Sequence, residues 1–285
     1  MCGARGCTAA DRADRGEGER REREGTAKDA SGHDPERTLR RGAAFLEVVA
    51  ARRPRHAPWL VRTPLDLWLL PGMDGTGQLF APLLRELDPA RLRPRVFSYD
   101  SHASSYDVLL RALPRPRAPT IVLAESFGGP LAIQLAARDR SRVTALVLVA
   151  SFVRAPRPFL RAASALVARL PPPPASAIRA VMVGRDADPA LVTQVASAVR
   201  ATPATTLAAR LAALADLDLR SASLDCPIHA LVARHDRLVP RASAAEPAAL
   251  SRQGAITTID GPHLLAQTHP ARVAEVLTTR LRELS

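Results

Sequence analysis

The chain has 285 residues, room for one large α/β domain or a domain with an extension. Its apolar fraction of 47% is that of a globular protein. No apolar run approaches the roughly 20 residues that span a bilayer, so neither a membrane span nor a stable membrane anchor is expected. The formal net charge is +12, but Lys28 is the only lysine among 40 basic residues, and Arg, Ala and Pro are abundant together. A bias toward GC-rich codons accounts for that pattern better than a nucleic-acid surface, since no basic helix or aromatic-basic RNA motif is present.

Residues 1–42 are a low-complexity stretch of Arg, Glu, Asp, Gly and Ala, in which ten basic residues oppose nine acidic ones. With so few large apolar side chains, burial cannot offset the entropy of ordering, and the segment reads as a disordered extension. It has no apolar core of a signal peptide. Cys2 and Cys7 lie in this stretch and Cys226 lies far away, so neither a disulfide framework nor a metal-ligand spacing emerges. A reduced, cytoplasmic setting is the expectation.

From residue 43 short apolar runs alternate with helical stretches. Leu65–Leu70 reads as a strand ended by Pro71-Gly72, and Gln78–Leu87 as a helix. Arg95–Tyr99 reads as a second strand and Tyr106–Leu113 as a helix. Thr120–Ala124 is a third strand, Pro130–Arg138 a helix, and Thr144–Ala150 a fourth, almost purely apolar strand. Residues 153–222 then carry no convincing strand. They read as a helical insertion, with one helix around Phe159, Leu160, Leu166, Val167 and Leu170, and others over Leu191–Val199 and Leu207–Leu217. Ile228–Ala233 and Ile256–Ile259 are a fifth and a sixth strand. Pro270–Leu284 is a last helix with Val273, Val276, Leu277, Leu281 and Leu284 on one face.

Near-continuous apolar strands separated by helices imply a doubly wound, mostly parallel sheet covered on both faces. An insertion after the fourth strand is expected to lie as a lid over the carboxyl ends of the strands, where ligands bind in open α/β sheets.

The third strand runs into Ala124-Glu125-Ser126-Phe127-Gly128-Gly129 and then a helix. A serine flanked two residues away by small residues, between a buried strand and a helix, is the pattern of a nucleophile elbow. The turn would expose the Ser126 hydroxyl and aim N–H groups at the helix start, where an anion is favoured. A serine hydroxyl is a poor nucleophile without a base, and the base needs an orienting acid. Asp236 follows the fifth strand and His263 follows the sixth, so both loops open at the same sheet edge as Ser126. Among the seven histidines His263 alone follows the last strand. Asp260 is too close to His263 in the chain to serve as the acid, and Asp225 precedes its strand.

An acyl-transfer intermediate needs two N–H donors for its oxyanion. One is expected from Phe127. The other is expected from Met73, with Asp74 as a neighbouring option, in the loop Pro71-Gly72-Met73-Asp74-Gly75-Thr76-Gly77. That loop lacks the Lys-Ser/Thr end of a P-loop, and its glycines do not fit a dinucleotide fingerprint.

These four segments, Leu70–Gly77, Ala124–Gly129, His235-Asp236 and Gly261-Pro262-His263, resemble the α/β-hydrolase superfamily over about residues 60–285, and in detail its esterase and acyltransferase-like branch. The apolar pattern sets the domain at residues 43–285, with the helical lid at about 153–222. The resemblance implies Ser126, Asp236 and His263 as nucleophile, acid and base. Two departures stand out: Ala124 replaces the usual first elbow glycine, and Pro71 stands where many members have His. The implied reaction is cleavage of a small-molecule ester or thioester, with an apolar acyl group favoured by the insertion's Leu, Val, Ala and Pro content. Acyl transfer to an alcohol is the alternative, and a non-catalytic binding protein a third. No metal, cofactor or nucleic acid is called for.

Overall fold

The computed structural model describes residues 64–100 and 102–283, and the side chains among them as far as residue 279. The chain divides between Val49 and Ala50, and every described residue falls in the later segment. The reading of residues 1–42, the domain start at residue 43, and the Leu281 and Leu284 side chains lie outside the described residues.

Six strands form among the described residues: β1 (Leu65–Leu70), β2 (Leu92–Val96), β3 (Thr120–Glu125), β4 (Val143–Val149), β5 (Ile228–Ala233) and β6 (Gly254–Ile259). Their order across the sheet is β2-β1-β3-β4-β5-β6, and every neighbouring pair is parallel. From β1 the chain moves outward to the edge strand β2. It then returns past β1 and lays β3 to β6 on the other side. That reversal is a topological switch point: the connections leaving β1 and β3 run to opposite faces and open a crevice between them at the carboxyl edge.

The helices are α1 (Ala81–Glu86), α2 (Tyr106–Ala112), α3 (Gly128–Arg138), α4 (Leu160–Val167), α5 (Ala175–Ile178), α6 (Pro189–Ala201), α7 (Ala204–Ala215), α8 (Arg241–Ala245), α9 (Leu265–Thr268) and α10 (Pro270–Glu283). Strand side chains alternate between faces. Leu70, Ala124 and Leu148 share one core with Tyr106 and Leu109 of α2 and Leu131 and Leu135 of α3. Leu69, Leu123 and Val147 share the other with Leu83 of α1, Leu265 of α9 and Val273 and Leu277 of α10. Helices on both faces explain why the central strands β3, β4 and β5 are mostly apolar and almost wholly buried.

The second strand lies three residues earlier than the sequence pattern places it, at Leu92–Val96 rather than Arg95–Tyr99. It is an edge strand paired only with β1, so Arg93, Pro94 and Arg95 are exposed and the apolar pattern that marks the central strands is missing. A proline is tolerated at such an edge. Phe97 extends the pairing by one bond, its N–H donating to Leu69 at 3.0 Å. The expected helix over 78–87 divides into a 3-10 turn, Gln78–Phe80, and α1, with Pro82 in the first turn of the new helix.

The insertion between β4 and β5 is helical. Its two ends are tied together by an antiparallel bridge between Arg154 and Asp218, and the Leu219 N–H donates to Val153 at 2.7 Å. Only Leu160 of α4 is buried, whereas Phe159, Leu166 and Leu170 are exposed. A third core packs Val183, Val192, Val195 and Ala196 of the insertion against Leu79 and Leu264. Both partners belong to connections at the carboxyl edge, one after β1 and one after β6, so this part of the insertion packs at that edge.

Leu123 is fully buried at the centre of β3. Leu123→Ala should therefore destabilise the fold by about 2–5 kcal/mol. The check is a urea melt in which the midpoint falls while the slope stays constant.

Candidate active site

Ser126 directly follows β3, in a left-handed backbone conformation, φ 49°. A non-glycine residue adopts this region at a cost of about 1–2 kcal/mol, so the surroundings must hold it. Its N–H donates to Val149 at 2.8 Å, and its carbonyl accepts from the Ser151 hydroxyl at 2.9 Å and from the Gly129 N–H at 3.0 Å. The two glycines are steric requirements of the turn. A Cβ on Gly128 would lie 2.6 Å from the Pro71 carbonyl oxygen, and one on Gly129 would lie 1.7 Å from Ser151 Oγ.

The loops after β5 and β6 bring the other two residues to this turn. His263 Nε2 lies 3.0 Å from Ser126 Oγ, and His263 Nδ1 lies 2.7 Å from Asp236 Oδ2. The second carboxylate oxygen, Oδ1, accepts from the Leu238 and Val239 N–H groups at 2.8 and 2.9 Å, which fixes the carboxylate plane. The imidazole and carboxylate are only 3% and 1% exposed, so neither is solvated by bulk water. The two loops are joined by the His235 N–H donating to Gly261 at 3.0 Å. The rival residues are engaged elsewhere. His235 contacts Asp260 at the surface, His229 lies 2.8 Å from Thr257 Oγ1 within the sheet, and Asp225 pairs with Arg140.

Across the switch-point crevice, the loop after β1 approaches the elbow. A Cβ built on Gly72 would lie 4.0 Å from the Ser126 Cβ. Gly75 and Gly77 both have positive φ, 70° and 72°. No acceptor among the described residues takes the N–H of Met73 or of Phe127. The carbonyls of these two segments are held by tyrosines: half-buried Tyr99 donates to Pro71 at 3.0 Å, and buried Tyr106 donates to Phe127 at 3.1 Å while stacking on its ring. Burial keeps both phenols protonated, well above the usual tyrosine range. Among the described residues no cluster of three His, Cys, Asp or Glu side chains is placed to hold a metal ion, and no helix is long and apolar enough to cross a membrane.

The family model described as serine aminopeptidase, S33, matches residues 93–261, from β2 to two residues before His263. The chain belongs to this α/β-hydrolase family. Among solved structures, this S33 family member is similar to a hydrolase from Pseudomonas aeruginosa PA01, with 21% identity and TM-score 0.67 over 76% of this chain and 90% of that one. It is similar to the enol-lactonase from Burkholderia xenovorans LB400, with 18% identity and TM-score 0.64 over 78% and 91%. It is also similar to a thermophilic esterase from Thermogutta terrifontis, with 19% identity and TM-score 0.63 over 78% and 91%. At these identities the likeness shows the fold. No curated protein sequence matches the chain.

This S33 family member carries a second buried acid beside the serine that the sequence pattern did not single out. Glu125 is 2% exposed, and its Oε2 accepts from Gln267 Nε2 at 2.9 Å. Glu125 Oε1 and Gln267 Oε1 are both buried without a partner among the described residues. Two orphaned acceptors on residues already joined by one bond are what a protonated carboxyl paired with an amide would resolve, since the acid then brings its own donor. Burial raises the Glu125 pKa from 4.5 to about 7, opposed in part by the Gln267 hydrogen bond and by His263. Such a carboxyl binds more protons when folded than when unfolded, so its contribution to stability is complete below pH 4.5 and is lost as pH rises toward about 7. Glu125→Gln would keep the paired geometry without a titrating group. The wild-type unfolding free energy should fall as pH rises from about 5 to about 7.5, by no more than about 1.4 kcal/mol per pH unit, as read from urea melts at each pH, and the variant should lack that slope.

Proposed function

We propose that the protein is a serine hydrolase that cleaves carboxylic esters or thioesters through an acyl-serine intermediate. The observation that carries this reading is the continuous hydrogen-bonded chain from Ser126 through His263 to Asp236, at 3.0 and 2.7 Å, on a serine held at positive φ. His263 removes the Ser126 proton as Oγ attacks the acyl carbon and then delivers it to the leaving alcohol or thiol. Asp236 fixes the imidazole tautomer and stabilises the imidazolium. The Met73 and Phe127 N–H groups receive the oxyanion, and their lack of other acceptors among the described residues supports that role. A water activated by the same histidine then attacks the acyl carbon, releasing the acid and regenerating the serine.

Two solved structures of the same fold are named an esterase and an enol-lactonase, whose names denote carboxylic ester chemistry, and this favours esters over amides here. The family description names an aminopeptidase, so the decisive panel pairs acyl esters and thioesters of graded length with aminoacyl anilides. Longer apolar acyl chains should be preferred, in keeping with the apolar insertion. The free acid should remain the product when an alcohol is added, and formation of the exchanged ester would assign acyl transfer instead.

Ser126→Ala and His263→Ala should each lower kcat by about 10⁴–10⁶-fold. The Ser126→Ala protein should also resist labelling by a fluorophosphonate. Undiminished hydrolysis by the purified Ser126→Ala variant would overturn the assignment.

A further inference from the structure

Arg210, on α7 of the insertion, is fully buried, a rare state for an arginine. Its guanidinium makes no ion pair among the described residues. It donates instead to three backbone carbonyls: Nη1 to Met73 at 2.7 Å, Nη2 to Asp100 at 3.0 Å and Nε to Ala103 at 3.0 Å. It also lies 5.6 Å from the Tyr99 ring centre and 5.9 Å from that of Phe127. Gly75 makes room for it, since a Cβ there would meet Nη1 at 2.8 Å. One residue along the same loop, the Asp74 carbonyl accepts from the hydroxyl of Thr202, which closes α6, at 2.6 Å. Two successive carbonyls of the loop after β1 are thus held from the insertion: that of the Met73–Asp74 peptide, next to the peptide that carries the Met73 N–H, and that of the Asp74–Gly75 peptide, whose N–H donates to the Gly72 carbonyl at 3.1 Å.

We propose that Arg210 and Thr202 are positioning residues that clamp the 72–75 loop, so that the insertion sets the aim of the Met73 N–H at the oxyanion. The proposal rests on the hydrolase reading for its kinetic consequence, but not for the clamp itself. A carbonyl bonded to a fixed donor cannot rotate without breaking that bond, and its peptide plane carries the next residue's N–H with it: the plane held by Thr202 carries the Gly75 N–H, which bonds the Gly72 carbonyl, whose own plane carries the Met73 N–H, while Arg210 holds the plane that follows. Burying an unpaired cation is costly, and three carbonyl acceptors only partly offset the loss of water. The guanidinium's fork spans three acceptors at once, which a lysine ammonium on a single flexible stem does not match in geometry.

Hydrogen–deuterium exchange of the full-length protein tests the clamp directly. Arg210→Lys and Thr202→Val should each raise exchange in the 71–77 segment by about an order of magnitude, while Arg161→Ala, which removes a surface pair with Asp216, should leave it unchanged. Losing an oxyanion donor outright costs about 10²–10³-fold in kcat, so loosening one should cost about 10-fold, with KM within about 3-fold of wild type. If Arg210→Lys fails to fold, Thr202→Val, which removes one hydroxyl, carries both measurements. Unchanged loop exchange in a folded variant overturns the clamp. A rise in KM with kcat and exchange unchanged overturns it as well, assigning these residues to substrate contact. If the wild-type protein hydrolyses no ester and takes no fluorophosphonate label, the hydrolase reading fails, and the exchange measurement still decides the clamp.

Discussion

The left-handed backbone at Ser126 is the constraint on which the site depends. A strand of a parallel sheet does not turn into a helix this sharply unless one residue leaves the extended region without passing gradually into the helical one. The strain is met by bonds to Val149, Ser151 and Gly129, and by the absence of side chains at Gly128 and Gly129. Those bonds reach β4 and its following loop, so the turn is held by its neighbouring strand as well as by its own sequence.

The sheet order does the rest. Because β1 and β3 are neighbours with opposite exits, the glycine-rich loop and the elbow face each other across a crevice, although about fifty residues separate them in sequence. Asp236 and His263 arrive by the same rule from β5 and β6. Each strand delivers one loop to one edge, and three side chains distant in sequence form a hydrogen-bonded chain with little solvent contact.

Much of this was legible in the amino-acid sequence, for identifiable reasons. The bounds of β1 and β5 follow from apolar runs ended by Pro71-Gly72 at one and by a polar loop at the other. The elbow is legible because its small residues answer a local steric need. β2 was displaced because an edge strand carries exposed Arg93 and Arg95 and lacks the central strands' pattern. The helices α8 and α9 were missed because four or five residues are too few to show a period. Arg210 is one arginine among many, and nothing in its neighbourhood along the chain announces burial. Glu125 and Gln267 lie 142 residues apart, so their pairing exists only in three dimensions.

The insertion leaves and rejoins the sheet through adjacent points, since Arg154 bridges Asp218 and Leu219 donates to Val153. Topologically it is a cassette: a different cap could be spliced between those points without rerouting any strand. Chemically it is not free-standing, because the donors that hold the glycine-rich loop are encoded inside it. A chimera made by exchanging this segment would inherit the new cap's shape but would have to bring its own replacements for Arg210 and Thr202. Exchange of the cap is therefore coupled to the upkeep of a backbone geometry that lies more than a hundred residues away in the chain.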